Sequence, residues 1–169
     1  MKKKFLLDTC SLSALKQPSA NHHIRYVSKL TSLDDSDELY ISLISIYEME
    51  YGARHIREKY PEMALEMKLA IQSIKDEFII LNLTDEGAII FADIKEQYQT
   101  KKGVGKKALI RHNVDLMIVA TAIEAGAILV TNDTKDQIPE IIQSFRNDFF
   151  FLVPTRRRNA IKLRKNPYM

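Results

Sequence analysis

Residues 112–133 read HNVDLMIVATAIEAGAILVTND. From Leu116 to Ala125 only Thr121 and Glu124 interrupt the apolar side chains. A helix that is apolar on nearly every side belongs inside a protein. Gly126 is placed to end it in the left-handed conformation that glycine adopts cheaply. Ala127 to Thr131 then reads as a short, fully buried strand of the parallel-sheet kind. Asp115 thus stands at the mouth of a buried helix and Asp133 just past the end of a buried strand. Both are costly places for a charge.

Outward from this stretch, the same alternation recurs. Lys4 to Leu7 is a short apolar strand running into Asp8, and Ser11 can cap a short helix that stops before Pro18. Asn21 to Leu33 is expected to be helical, with Asn21 as cap and Ile24, Val27 and Thr31 on one face. Asp34 to Glu38 is a loop and Leu39 to Ile41 a second strand. Ser42 or Ser45 begins a helix through ISIYEMEYGA, and Tyr60-Pro61 opens another, striped by Met63, Met67, Ala70, Ile71, Ile74 and Phe78. Phe78 to Leu83 reads as a third strand. Thr84 caps the next helix, whose apolar face is Ala88, Phe91, Ala92 and Tyr98, ending at Gly103 and Gly105. Beyond the key stretch come a helix around Ile138 to Phe145 and a strand from Phe149 to Val153. Strands alternating with helices predict an α/β, three-layer domain with a central, mostly parallel sheet flanked by helices. It spans residues 1–154, and 155–169 form a basic tail.

The chain has 169 residues, 46% of them hydrophobic and 28% charged, as expected of one globular domain. No apolar run approaches the roughly 20 residues needed to span a bilayer, so no membrane partner is expected. The opening MKKKFLLDTCSLSAL is read as mature sequence of a cytoplasmic protein, because Asp8 breaks an apolar run already too short for a signal peptide. The single cysteine, Cys10, excludes an internal disulfide and a cysteine-based zinc site. Net charge is +3, unevenly spread. Residues 155–169 hold six of the 25 basic residues and no acid, leaving 19 basic against 22 acidic elsewhere. A second acid-free patch holds Lys101, Lys102, Lys106, Lys107 and Arg111. Clustered positive charge points to a polyanionic partner, although a solvated loop and tail would look the same.

In open α/β sheets, ligands bind beyond the carboxyl ends of the strands. Asp8 and Asp133 follow apolar strands, and Asp115 lies where its helix starts, at that same edge. Singly, each has a structural reading as helix cap or turn residue. Together they would repel unless a hard divalent cation joined them. The helix after Ser42 offers Glu48 and Glu50. Glu50 has Arg54 at i+4 for a surface ion pair, and Glu48 lies on a more apolar face, which favours Glu48 as the fourth acid. No P-loop or dinucleotide fingerprint is present. Cys10 has no basic neighbour before Lys16 to activate it, and the four histidines show no ligand spacing.

The pieces LLDTCSLSAL, ISLISIYEMEYGA and DLMIVATAIEAGAILVTND, in this order, resemble PIN-domain ribonucleases, specifically the VapC-like toxins of toxin–antitoxin pairs. The resemblance implies catalytic acids at Asp8, Glu48 (four residues before Gly52), Asp115 and Asp133, with Asp136 as the nearest substitute for the last. It implies Mg²⁺ or Mn²⁺ held by Asp8, Asp115 and Asp133, with Thr9 and Thr131 as assisting hydroxyls. The implied activity is endonucleolytic cleavage of RNA, with a small antitoxin protein and a homodimer as partners. Lys101 to Arg111 would hold the RNA backbone. A DNA-directed metal nuclease and a non-cleaving RNA-binding scaffold are the alternatives. The basic tail and the long lysine-rich stretch depart from the family's pattern.

Overall fold

The computed structural model describes residues 2–20, 22–103 and 105–131, and the backbone of 151–152. The elements run β1 (Lys4–Leu7), α1 (Thr9–Lys16), α2 (His23–Leu30), β2 (Glu38–Ser42), α3 (Leu43–Ile56), α4 (Pro61–Glu77), β3 (Ile79–Leu81), α5 (Asp85–Lys102), α6 (Lys106–Ile110), α7 (Asn113–Ala125), β4 (Ile128–Val130) and β5 (Phe151–Leu152). The five strands form one sheet in the order β3-β2-β1-β4-β5, and every pairing is parallel. The helix expected around 138–145 and the tail at 155–169 lie outside the described residues.

β1 is central, and its three apolar residues alternate between two cores. Leu6, with Tyr40 and Leu129 beside it, faces α5 and α7 and joins Ile94, Tyr98, Leu116 and Val119. Phe5 and Leu7, with Ile41 and Val130, face α1 to α4 and join Leu12, Tyr26, Ile46, Ile71 and Ile74. A strand covered on both faces needs apolar residues at consecutive positions, so its sequence reads as a run rather than an alternation. The result is three layers, helices on each side of the sheet. Gly126 ends α7 at φ 61°, a left-handed backbone that a side chain would strain. At Gly52 a Cβ would come within 3.3 Å of Met67 Cε, so the glycine lets α3 and α4 approach closely.

Several helix faces differ from the sequence reading. In α2 the buried residue is Tyr26, whereas Ile24 and Val27 are exposed and Asn21 lies outside the described residues. The cap of α1 is Asp8 rather than Ser11, which lies inside the helix. In α4, Met63 points to solvent, and Ala64, Ile71, Ile74 and Phe78 carry the burial. α5 buries Ile94 and Tyr98 and leaves Ala88 and Ala92 exposed. These helices hold apolar residues on several sides, and the side that wins is set by the sheet and helices they pack against. Glu38 joins β2 because its backbone continues the pairing with Lys4.

These burials make a direct comparison. Ile94→Ala, at a fully buried position, is expected to lower the unfolding free energy by about 2–5 kcal/mol. Ile24→Ala, at a position 79% exposed, should change it by less than about 0.5 kcal/mol. Urea denaturation followed by circular dichroism measures both, and equal losses would show the helix faces to be wrongly assigned.

Candidate active site

The strand order reverses at β1: β2 and β3 continue to one side, β4 and β5 to the other. In open α/β sheets ligands bind at such a reversal, beyond the carboxyl ends of the strands, which is where β1 runs into Asp8 and β4 into Thr131. Asp8 is the first residue past β1 and is 2% exposed. Its N–H donates to the Val130 carbonyl at 3.0 Å, continuing the sheet's ladder one step beyond the strand. Its extended backbone makes it the N-cap of α1, and Oδ1 accepts the Ser11 N–H at 2.6 Å. Oδ2 accepts the Thr131 hydroxyl at 2.5 Å. Thr131 is the first residue past β4 and fully buried. A buried carboxylate is costly unless hydrogen bonds replace lost water. Here the donors come from α1 and from the end of β4.

Behind Asp8 lies a second layer that the sequence reading did not assign. Ser11 Oγ donates to the Val130 carbonyl at 3.0 Å and so accepts from the Tyr26 hydroxyl at 2.9 Å. Burial pushes the Tyr26 phenol well above its usual range, and the charge of Asp8 adds to this. The phenol therefore stays protonated, as its donor role requires. The sequence reading takes Ser11 as the cap of α1, whereas Ser11 lies inside the helix and supplies its N–H to Asp8. Tyr26 carried no signal, because it reaches Ser11 only through the packing of α2.

Glu48 lies in the second turn of α3 and is exposed. Its Oε2 accepts the Thr9 hydroxyl at 2.5 Å, which brings the α3 acid beside the residue adjoining Asp8. Ser42 caps α3 through the Ile44 N–H and so starts the helix at this edge. Glu50 takes Lys75 of α4 at 2.9 Å and not the expected Arg54, because α3 packs against α4 on that side.

Asp115 is the third residue of α7 and half-buried. The cap position belongs to His112, which makes no side-chain capping bond, so neither Asp115 nor Asn113 serves as the cap. From Asp115 to Ala125 the helix covers roughly 15 Å at its standard rise. From Ala127 to Thr131 the chain returns roughly 13 Å. Asp115 and Thr131 consequently end at the same edge of the sheet. Among the described residues, no group of three or more His, Cys, Asp or Glu side chains is gathered closely enough to hold a metal ion. Asp133 and Asp136 lie outside the described residues. Lys101, Lys102, Lys107 and Arg111 are exposed, the first two in the last turn of α5. The side chain of Lys106 lies outside the described residues.

The arrangement has counterparts. The chain is 28% identical over 142 residues to Ribonuclease VapC2 of Rickettsia felis, covering 82% of this chain and 94% of that one. It resembles the DNA-bound VapBC structure from Salmonella typhimurium at 27% identity and TM-score 0.56, covering 80% of this chain and 89% of that one. The fold is also that of VapBC-1 from nontypeable Haemophilus influenzae, at 19% identity and TM-score 0.65, covering 89% and 97% of the two chains. Residues 5–140 match the PIN domain. The chain belongs to the PIN-domain family.

Proposed function

We propose that this protein is a divalent-metal-dependent endoribonuclease of the VapC type, with its active site at the carboxyl edge around Asp8. The observation that carries the reading is the Asp8 carboxylate, buried at that edge and held by donors from α1 and from the end of β4. Oxygen donors of this kind, carboxylates flanked by hydroxyls, suit a hard cation such as Mg²⁺ or Mn²⁺. Asp8, Asp115 and Asp133 would hold it. The bound cation supplies positive charge that lowers the pKa of a water and offsets charge on the phosphate and leaving oxygen.

The chain's own groups have separate tasks. Thr131 and the Ser11 amide fix the Asp8 oxygens, and Thr9 fixes Glu48. Glu48 orients the attacking water toward the scissile phosphorus, opposite the leaving oxygen. Lys101, Lys102, Lys106, Lys107 and Arg111 hold the phosphate backbone on either side. The similarity to a ribonuclease supports RNA as the substrate. The likeness to a VapBC assembly supports a small antitoxin that covers the acidic edge, with a homodimer as the toxin's own state. A reducing cytoplasm suits the lone cysteine. No described helix is long and apolar enough to cross a membrane.

Three measurements follow. Asp8→Asn keeps a good helix cap, so its thermal melt should stay close to that of the parent protein. Its cleavage of RNA with Mn²⁺ should fall at least about a hundredfold, by analogy with losing an essential electrostatic group. Full cleavage by that variant would remove the proposal. Thr131→Val takes one donor from Asp8, and titration calorimetry should find Mn²⁺ bound about 10- to 100-fold more weakly; unchanged affinity would dissociate Thr131 from the metal. Lys107→Ala should lower the slope of log affinity for single-stranded RNA against log salt by about 0.7, the contribution of one phosphate contact. An unaltered slope would place the RNA elsewhere.

A further inference from the structure

α3 leaves the acidic edge carrying a row of exposed rings. Tyr47 and Tyr51 are 60% and 70% exposed, large values for aromatic side chains that ordinarily bury most of their surface. His55 continues the row at the next i+4 position. Its ring stacks on Tyr51, with centroids 5.8 Å apart and planes 23° from parallel. Glu48 lies between Tyr47 and Tyr51 in sequence and is tied to Thr9, beside Asp8, so the row begins at the candidate active site.

The charge on this face is selective. Glu50 is neutralised by Lys75. Arg54, one turn beyond Glu50, has no carboxylate within salt-bridge distance among the described residues. Rings plus an available guanidinium differ from the exposed apolar residues of α4, where Met63, Leu65 and Leu69 are flexible or aliphatic. Aliphatic surface suits a protein partner, whereas flat rings interleaved with cations suit nucleobases and phosphates. Residues four apart on a helix rise about 6 Å, well over the 3.4 Å between stacked bases in a duplex strand. Bases meeting successive rings would therefore be splayed apart, as single-stranded RNA permits.

We infer that Tyr47, Tyr51, His55 and Arg54 form a subsite on α3 that stacks unpaired bases of the RNA next to the scissile phosphate. The inference rests on the nuclease reading and specifies the substrate as single-stranded at that point. It places base contacts on α3 and leaves Lys101 to Arg111 for the backbone.

The test measures binding of a fluorescent single-stranded oligoribonucleotide to the full-length protein in EDTA, where cleavage is suppressed. Tyr51→Ala is expected to weaken binding about tenfold or more, the usual effect of removing one stacking ring, and Tyr51→Phe to restore it. An oligonucleotide with abasic positions should bind the parent protein as weakly as the intact one binds Tyr51→Ala, and a duplex of the same sequence should be insensitive to the substitution. Unchanged affinity in Tyr51→Ala and Tyr47→Ala would overturn the subsite. So would a change in sedimentation without a change in RNA affinity, which would make this face a contact between copies of the chain. A parallel cleavage assay of the parent protein with Mn²⁺ separates the two ideas. Cleavage with unaffected binding in the variants rejects the subsite alone, and no cleavage of any RNA rejects the nuclease reading itself.

Discussion

A single carboxylate ties the two halves of the sheet together at its carboxyl edge. Asp8 ends β1, caps α1 and accepts a hydrogen bond from Thr131 at the end of β4. Its backbone N–H reaches the same Val130 carbonyl that Ser11 Oγ reaches. The donors around Asp8 make it a fixed point, which is what a catalytic group needs, since an ångström of play at the reacting centre is costly. Tyr26 extends the same network into the α1–α2 pair, so the packing of a surface helix is coupled to the position of the acid.

The topology explains why acids from distant segments share one edge of the sheet. In a parallel sheet every strand ends at one edge and every following helix begins there. Three helices bring polar groups to it: α1 through its cap Asp8, α3 through Ser42 and Glu48, and α7 through Asp115. Their amino ends also point partial positive charge at the edge, which favours carboxylates in the first turn and any anionic substrate that follows. α7 itself is anchored by Leu116, Ile118, Val119, Ala120 and Ala122, all buried. A helix so immersed cannot slide without opening the core, so its apolar residues fix the position of Asp115 in its first turn.

Much of this was legible along the chain, and the exceptions have physical causes. β1, α7, the Gly126 stop and β4 could be read because buried strands and a buried helix leave unbroken apolar runs, and a left-handed stop leaves a glycine. Asp8 and Asp115 could be singled out because charges beside such runs are out of place, whereas Glu48, expected on a more apolar face, is exposed. Faces of half-buried helices were less readable. α2 offers Ile24, Val27 and Tyr26 within four residues, and burial fell to Tyr26, whose hydroxyl has a partner in Ser11. In α5, residues 88–94 contain apolar groups on every side, and only contact with the sheet selects Ile94. The Glu50 partner was misassigned because an i+4 rule sees only its own helix, while Lys75 sits on the next one. Local rules describe what a segment can do alone; long-range packing decides among the options.

One consequence concerns how stability and chemistry share residues here. Asp8 serves as a helix cap and is proposed as a site carboxylate, and the two roles make different demands. A cap needs an oxygen acceptor, which an amide supplies as well as a carboxylate does. A cation site needs negative charge. The same division holds at Thr131, where a hydroxyl donor matters to the carboxylate while the apolar surroundings need only its volume and shape. At Gly52 the demand is purely steric, since Met67 occupies the space of a side chain. The edge therefore combines residues that can be altered for charge while the fold stays intact with residues, such as Leu116 and Ile94, that serve the core alone. That separability follows from placing Asp8 and Asp115 at the ends of elements, where caps and first turns tolerate polar atoms, while the charged residues of β1 and β2, Lys4 and Glu38, stand at their opening positions.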